Sequence, residues 1–283
     1  MKISPTKSTY GLEKFNCPKG TVPIRRVTKD DLIQGKYLLN EDPILNQNDL
    51  RTHSAHIFLS PSGGPYYGVK GTTSVWHPIV VKGQESAGRL FVQNENGVNT
   101  NKIVVGWHSG NNNGCYNTRC SGFVQTAQMY SVGSRIERTS VYRGTLFELP
   151  ISLVQDPASK NWWLSLAYKN IGYFPAQLFS NLKAASEVGW GGLTVTPSGT
   201  RIPVMGTGVF GNGDFGKACY FRQVAYQTAS RKFIGPATNL AAKFNNCPNC
   251  YNIVYFGDKG GQYGYSLQFG GGGGGGSNCE CGN

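Results

Sequence analysis

At 283 residues the chain is long enough for one large domain or two ordinary ones. Its 12% aromatic and 15% charged content excludes a disordered chain, and no stretch approaches the roughly 18 apolar residues of a membrane-spanning helix. Glycine is about twice as common as usual, which favours short strands joined by turns. The formal charge of +12 favours anionic partners without naming their kind.

Residues 1 to about 50 read as a leader distinct from the rest of the chain. Thr28 to Asp31, ahead of Leu32 and Ile33, resembles a capping box and predicts one short helix through Gln34. Pro43 and the stretch Asn46 to Asp49 read as a linker. From about His53 the pattern changes to short runs rich in β-branched and aromatic residues, separated by Gly, Pro and Asn. Examples are His56 to Leu59, Thr73 to Trp76, Lys102 to Val105 and Phe147 to Val154. Only Pro175 to Ala185 spaces Leu178, Phe179 and Leu182 like one face of a helix. The expected fold is therefore all-β. Two antiparallel sheets form a sandwich with one short helix packed on it, because that many strands must bury a face against another sheet. The glycine run Gly270 to Gly276 reads as a flexible tether.

The eight cysteines suit disulfides in an oxidising compartment better than zinc. Cys279 and Cys281 lie one residue apart after the glycine run, a poor frame for a rigid tetrahedral site. Cys17 has Cys219 or Cys247 as possible partners. Gly211 to Gly216 matches a dinucleotide GxGxxG pattern, but the strand-like Ala218 to Phe221 comes next, where a helix would have to begin, so it reads as a turn. The histidines His53, His56, His77 and His108 form no HExxH motif, and no metal or other cofactor is expected. Carboxylates on strand-like segments are Glu95, Glu137, Glu148 and Asp214. Glu148, within an apolar strand, is open to perturbation by desolvation, although the alternation favours a side chain that faces solvent. Most of the aromatics must be core, with a minority left to line a groove suited to proline rings or sugars.

Several stretches, in order, carry a resemblance to a known family. They are Cys17 to Arg26, Tyr67 to Gly71, Gly106-Trp107, Gly114 to Gln125, Gly172 to Pro175, Trp190 to Gly192 and Met205 to Gly208. The chain resembles the plant neprosin family of secreted glutamic endopeptidases that cleave after proline, over almost its whole length. The resemblance implies an activation-peptide-like leader over 1–50, a β-sandwich domain over 53–269 with a cleft across one sheet, a Gly-rich tail over 270–283, and secretion. It also implies a disulfide between Cys115 and Cys120, and a second joining Cys250 to a terminal cysteine, for which Cys281 is the candidate.

Family members use two glutamates, one in an Ile-Glu-Ala-Gly-Trp stretch and one after Gly-Gly. The matching positions here hold Val104 and Leu193, which can neither accept nor donate a proton. The loop between Trp107 and Cys115 is also shorter than the family's. Loss of the peptidase chemistry is therefore expected, leaving a binding protein for proline-rich protein or acidic polysaccharide in the old cleft. Nucleic acid and membrane are not expected partners. Cleft candidates are Tyr66, Tyr67, Trp107, His108, Trp190 and Glu148. Val104 and Leu193 are expected to approach across the cleft floor with no carboxylate pair there. Restoring both glutamates is expected to return some cleavage at acid pH. Two alternatives are an active endopeptidase using Glu148 or Asp214, and a self-associating matrix protein using its edge strands and glycine tail.

Overall fold

The computed structural model describes residues 10–24, 50–96, 99–110, 117–119 and 121–274. The strands are, in chain order, β1 (Leu50–Leu59), β2 (Gly68–Ser74), β3 (Glu85–Asn96), β4 (Asn99–Gly110), β5 (Val124–Gln125), β6 (Glu148–Gln155) and β7 (Trp162–Leu166). They continue with β8 (Lys169–Phe174), β9 (Glu187–Pro197), β10 (Cys219–Gln227), β11 (Phe233–Ile234), β12 (Ala241–Asn245), β13 (Asn252–Asp258) and β14 (Tyr265–Gly270). They build two antiparallel sheets. One has the order β12-β1-β9-β3-β4; the other runs β13-β14-β10-β2-β6-β7-β8-β5, with β11 paired to β10. The four runs expected as strands fall on β1, β2, β4 and β6, although Val75 and Trp76 lie just past the end of β2.

Period-two alternation explains how the sheets meet. Ile57, Leu90, Val92, Val105 and Val188 turn inward from the smaller sheet, against Val69, Leu149, Ile151, Leu153 and Phe221 of the larger, in one core. Two buried tryptophans tie the sheets with polar as well as apolar contacts. Trp107 Nε1 donates to the Ser74 carbonyl at 2.9 Å, and Trp190 Nε1 to the Lys70 carbonyl at 2.9 Å. Part of the leader also docks on the domain. Leu12 pairs antiparallel with Ile136, the Phe15 amide donates to the Met129 carbonyl, and the ring of Tyr10 meets that of Tyr168 edge-on.

The all-β reading holds, but the helix expected over Pro175 to Ala185 does not form. A single 3-10 turn spans Ala176–Leu178, and the chain is extended again by Phe179. Instead, side chains from the strands hold this segment by its carbonyls. Asn94 donates to Asn181 and Ala184, Trp162 to Leu182, and Gln155 to Lys183. Leu182 is buried by this route, so its apolar spacing reports a docked irregular segment. The Gly211 to Gly216 segment is a loop whose Asn212 and Gly213 amides donate to the Gln268 side chain. The short helix expected near Thr28 to Gln34 and the pair Cys115 and Cys120 lie outside the described residues, as does Cys281. Cys247 and Cys250 are both disulfide-bonded and buried. Pairing of Cys17 with Cys219 or Cys247 is corrected, since Cys17 and Cys219 are free thiols. Cys219 is fully enclosed beside Ser74, and burial pushes its thiol up to about 12.

Candidate functional site

Strand β4 ends the smaller sheet among the described residues, and a cleft of about 470 Å³ runs along it. Ile103, Val105 and Trp107 are buried on its inner side, whereas Val104, Gly106 and His108 belong to the outer face. Glu85, Ala87 and Arg89 of β3 and Leu193 of β9 continue that face into the cleft. The opposite wall is apolar, with Phe123, Phe174, Leu178 and Phe179; Phe123 and Phe174 meet edge to face at 4.9 Å.

Both positions matched to the family's glutamates line this cleft on one face of the sheet. Val104 is 41% exposed, while Leu193 is buried in a small apolar cluster with Ala87, Val195 and Leu50. They do not approach each other as expected. Val104 lies opposite Phe91 and Leu193 opposite Ala87, so β3 and four residues of register stand between them. Ideal sheet spacings put their Cα atoms roughly 16 Å apart.

Two cations share the face. The Lys102 ammonium lies over the Phe91 ring, 4.0 Å from its centroid, in the row of Val104. Burial, then the neighbouring Arg89, holds that amine down at about 8, against the opposing pull of Glu187 and Glu95. Arg89 reaches across β9, and its Nη2 donates to Ser54 Oγ at 3.2 Å, directly opposite Leu193. Glycines make room for this layer. A side chain at Gly189 would strike the Phe91 ring and one at Gly191 would strike His56. The Trp190-Gly-Gly motif therefore sets one tryptophan inward and clears the outer face beside it.

Glu85 is the one acid among the described lining residues, and sequence reasoning missed it. It is 2% exposed and sits diagonally from both Leu193 and His108. Its segment, Lys-Gly-Gln-Glu, reads as a turn. The usable signal was parity, because Glu85, Ala87, Arg89 and Phe91 alternate with the inward Leu90 and Val92.

Of the six cleft candidates, Trp107 and His108 line the cleft. Trp190 is core. Tyr66 is core as well, its hydroxyl donating to the Ser60 carbonyl at 2.7 Å. Tyr67 lies under the Arg231 guanidinium, 3.9 Å from its ring centroid. Glu148 belongs to the far face of the larger sheet, one residue from the inward Leu149. There Arg222 grips it with Nε at 2.5 Å and Nη2 at 2.6 Å, and the Tyr220 hydroxyl donates at 2.7 Å. Asp214, the other acid weighed for catalysis, caps a turn. The Lys217 ammonium at 2.7 Å, then the Gly216 amide, holds its carboxyl below the usual range. His53 and His56 point to opposite faces of β1 and cannot clip one metal; among the described residues no cluster of metal-ligating side chains forms.

His56 gives this face an acid sensitivity. It stacks on Phe244 at 5.0 Å and meets Phe91 edge-on at 5.4 Å. Burial, then Arg89 and Lys102, lowers its pKa to about 3. Between that value and its ordinary 6.5 the unfolded chain takes up a proton that the fold refuses, so stability falls as the pH drops through this window. The slope from this one group is at most about 1.4 kcal/mol per pH unit. Urea unfolding at several pH values should show a shallower acid limb for His56→Gln than for the parent chain.

The order of motifs agrees with an independent comparison. The Neprosin family model matches residues 86–272, from the second residue of β3 to just past β14. That span holds nearly every cleft-lining residue, and the chain belongs to the neprosin family.

Proposed function

We propose that this chain is a neprosin-domain protein that has lost peptidase chemistry and uses the cleft beside β4 to bind an extended, proline-containing polypeptide outside the cell. The observation that carries the reading is the side-chain chemistry of the cleft. Val104 and Leu193 stand where the family resemblance places the two acids, and Glu85 is the single carboxylate among the described lining residues. Amide hydrolysis by this route needs one carboxyl to activate water and a second, with a different pKa, to protonate the departing amine. A single glutamate does not supply both.

Binding asks for less. A strand that ends a sheet offers a row of N–H and C=O groups to an added chain, and side-chain pockets supply selectivity. An added strand turns only alternate amides toward β4, so prolines fit at the other positions. Their rings would face the wall of Phe123, Phe174 and Phe179. A polysaccharide acid, the other ligand class that the basic charge admits, has no amides to match that edge. Secretion belongs to the same proposal and rests on the family resemblance.

Incubating the purified chain with a proline-containing reporter peptide at acid pH tests the loss of chemistry. We expect the peptide to be bound and returned whole. Cleavage above background that disappears in Glu85→Gln would make the chain an enzyme.

A further inference from the structure

We propose that Arg89 and Lys102, standing on the cleft floor beside the two positions where the family's glutamates are replaced, invert the charge of the site, so that the cleft selects an extended peptide bearing carboxylate side chains. The proposal rests on the cleft-binding reading above and adds the chemistry of the ligand.

The register places each cation. Lys102 and Val104 are alternate residues of β4 on one face, and the ammonium lies over Phe91, which is directly opposite Val104. Arg89 is fixed by Ser54, which is directly opposite Leu193. Positive charge therefore stands beside both places that the resemblance assigns to carboxylates. The side chains at those places, a valine and a leucine, carry no charge.

Two like charges on one face repel. Arg89 contributes to holding the Lys102 amine down. Glu187 and Glu95 pull the Lys102 amine the other way, and Glu187 also accepts a hydrogen bond from Gln93 at 2.9 Å. Glu85, two residues before Ala87, stands toward the other end of the cleft. Apolar Val104, Ala87 and Leu193 share the floor with these charged residues. Gly106 is directly opposite Arg89, so no β4 side chain stands between the strand edge and that row. A peptide laid along β4 can send a carboxylate over Gly106 and another toward Lys102.

The test uses the whole chain and a labelled, extended peptide containing prolines and two glutamates, read by fluorescence anisotropy. Its partner probe carries glutamines in place of the glutamates. The acidic peptide should bind about tenfold tighter or more, with the preference shrinking as salt rises. Lys102→Met should remove most of the preference, weakening the acidic peptide far more than the glutamine peptide. Arg89→Gln should do the same from the other row. Should it fold poorly, as judged by circular dichroism, Lys102→Met decides alone. Equal binding of the two peptides would overturn the acidic preference while leaving the cleft reading intact. Binding of neither would bring down both. Binding of an oligomeric polyuronate with both peptides silent would overturn the peptide as ligand.

Discussion

Arg222→Ala should destabilise the fold by about 3 kcal/mol or more, the largest loss expected from any single truncation on the far face. The reason is geometric. The guanidinium grips Glu148 through two nitrogens and gives its third to the Gln262 carbonyl at 2.8 Å. Both side chains are largely removed from water, at 17% and 11% exposure. Truncating the cation strands a carboxylate that cannot regain its hydration, with the Tyr220 hydroxyl as its remaining donor. Urea unfolding measures the loss. The double substitution Glu148→Gln with Arg222→Met should be far milder than Arg222→Ala, because no charge is left unpaired. Peptide binding by the folded variants should stay unchanged, since the pair lies two layers away from the cleft. A folded Arg222→Ala protein that has lost peptide binding would mean that Glu148 serves the site after all.

Rebuilding the acid pair is the second large effect, and the structure changes what to expect from it. Sequence alone predicts that Val104→Glu with Leu193→Glu returns some cleavage. The two glutamates would, however, enter beside Lys102 and Arg89. Each would pair with its cation and ionise. That is wrong for catalysis, which needs one acid protonated while the other is charged. The double variant should therefore stay silent. Adding Lys102→Met and Arg89→Gln should raise turnover of a proline reporter by on the order of 10²-fold over the double variant. The rough 16 Å between the two Cα atoms leaves room for a peptide bond and a water between two inward-reaching glutamates. Turnover by the double variant alone would show that the cations do not control the acids.

Much of the fold was legible because strands announce themselves locally. His56 to Leu59 and Phe147 to Val154 are short apolar runs with β-branched and aromatic residues, and they fall on β1 and β6 apart from Phe147. The helix expected at Pro175 was misread because apolar spacing cannot tell a helix face from an irregular segment docked on the sheet, held here by Asn94, Gln155 and Trp162 from elsewhere in the chain. The site divides in the same way. Motif order located Val104, Trp107, His108 and Leu193 in the cleft, since neighbouring glycines and tryptophans fix those positions. Glu148 looked like an acid waiting for work because its strand is apolar, yet its partners come from β10. Glu85, Arg89 and Lys102 went unnoticed because a cationic floor is a property of register, which three strands must pair to create.

The sheet order has a further consequence, for how the molecule comes into being. β1 and β2 leave the ribosome before the other strands, yet each ends up inside its sheet. β1 lies between β9 and β12, and β2 between β6 and β10. β1 has no partner until residues past 187 exist, and the second flank of β2 waits for residues past 219. Such distant closures are slow, because the chain must give up loop entropy before any pairing rewards it. For most of its synthesis the nascent chain carries two bare-edged strands that invite pairing with other chains. The last third of the sequence therefore acts as the clasp of the whole sandwich, and a chain stopped short of β10 would have an open larger sheet and a strong tendency to aggregate.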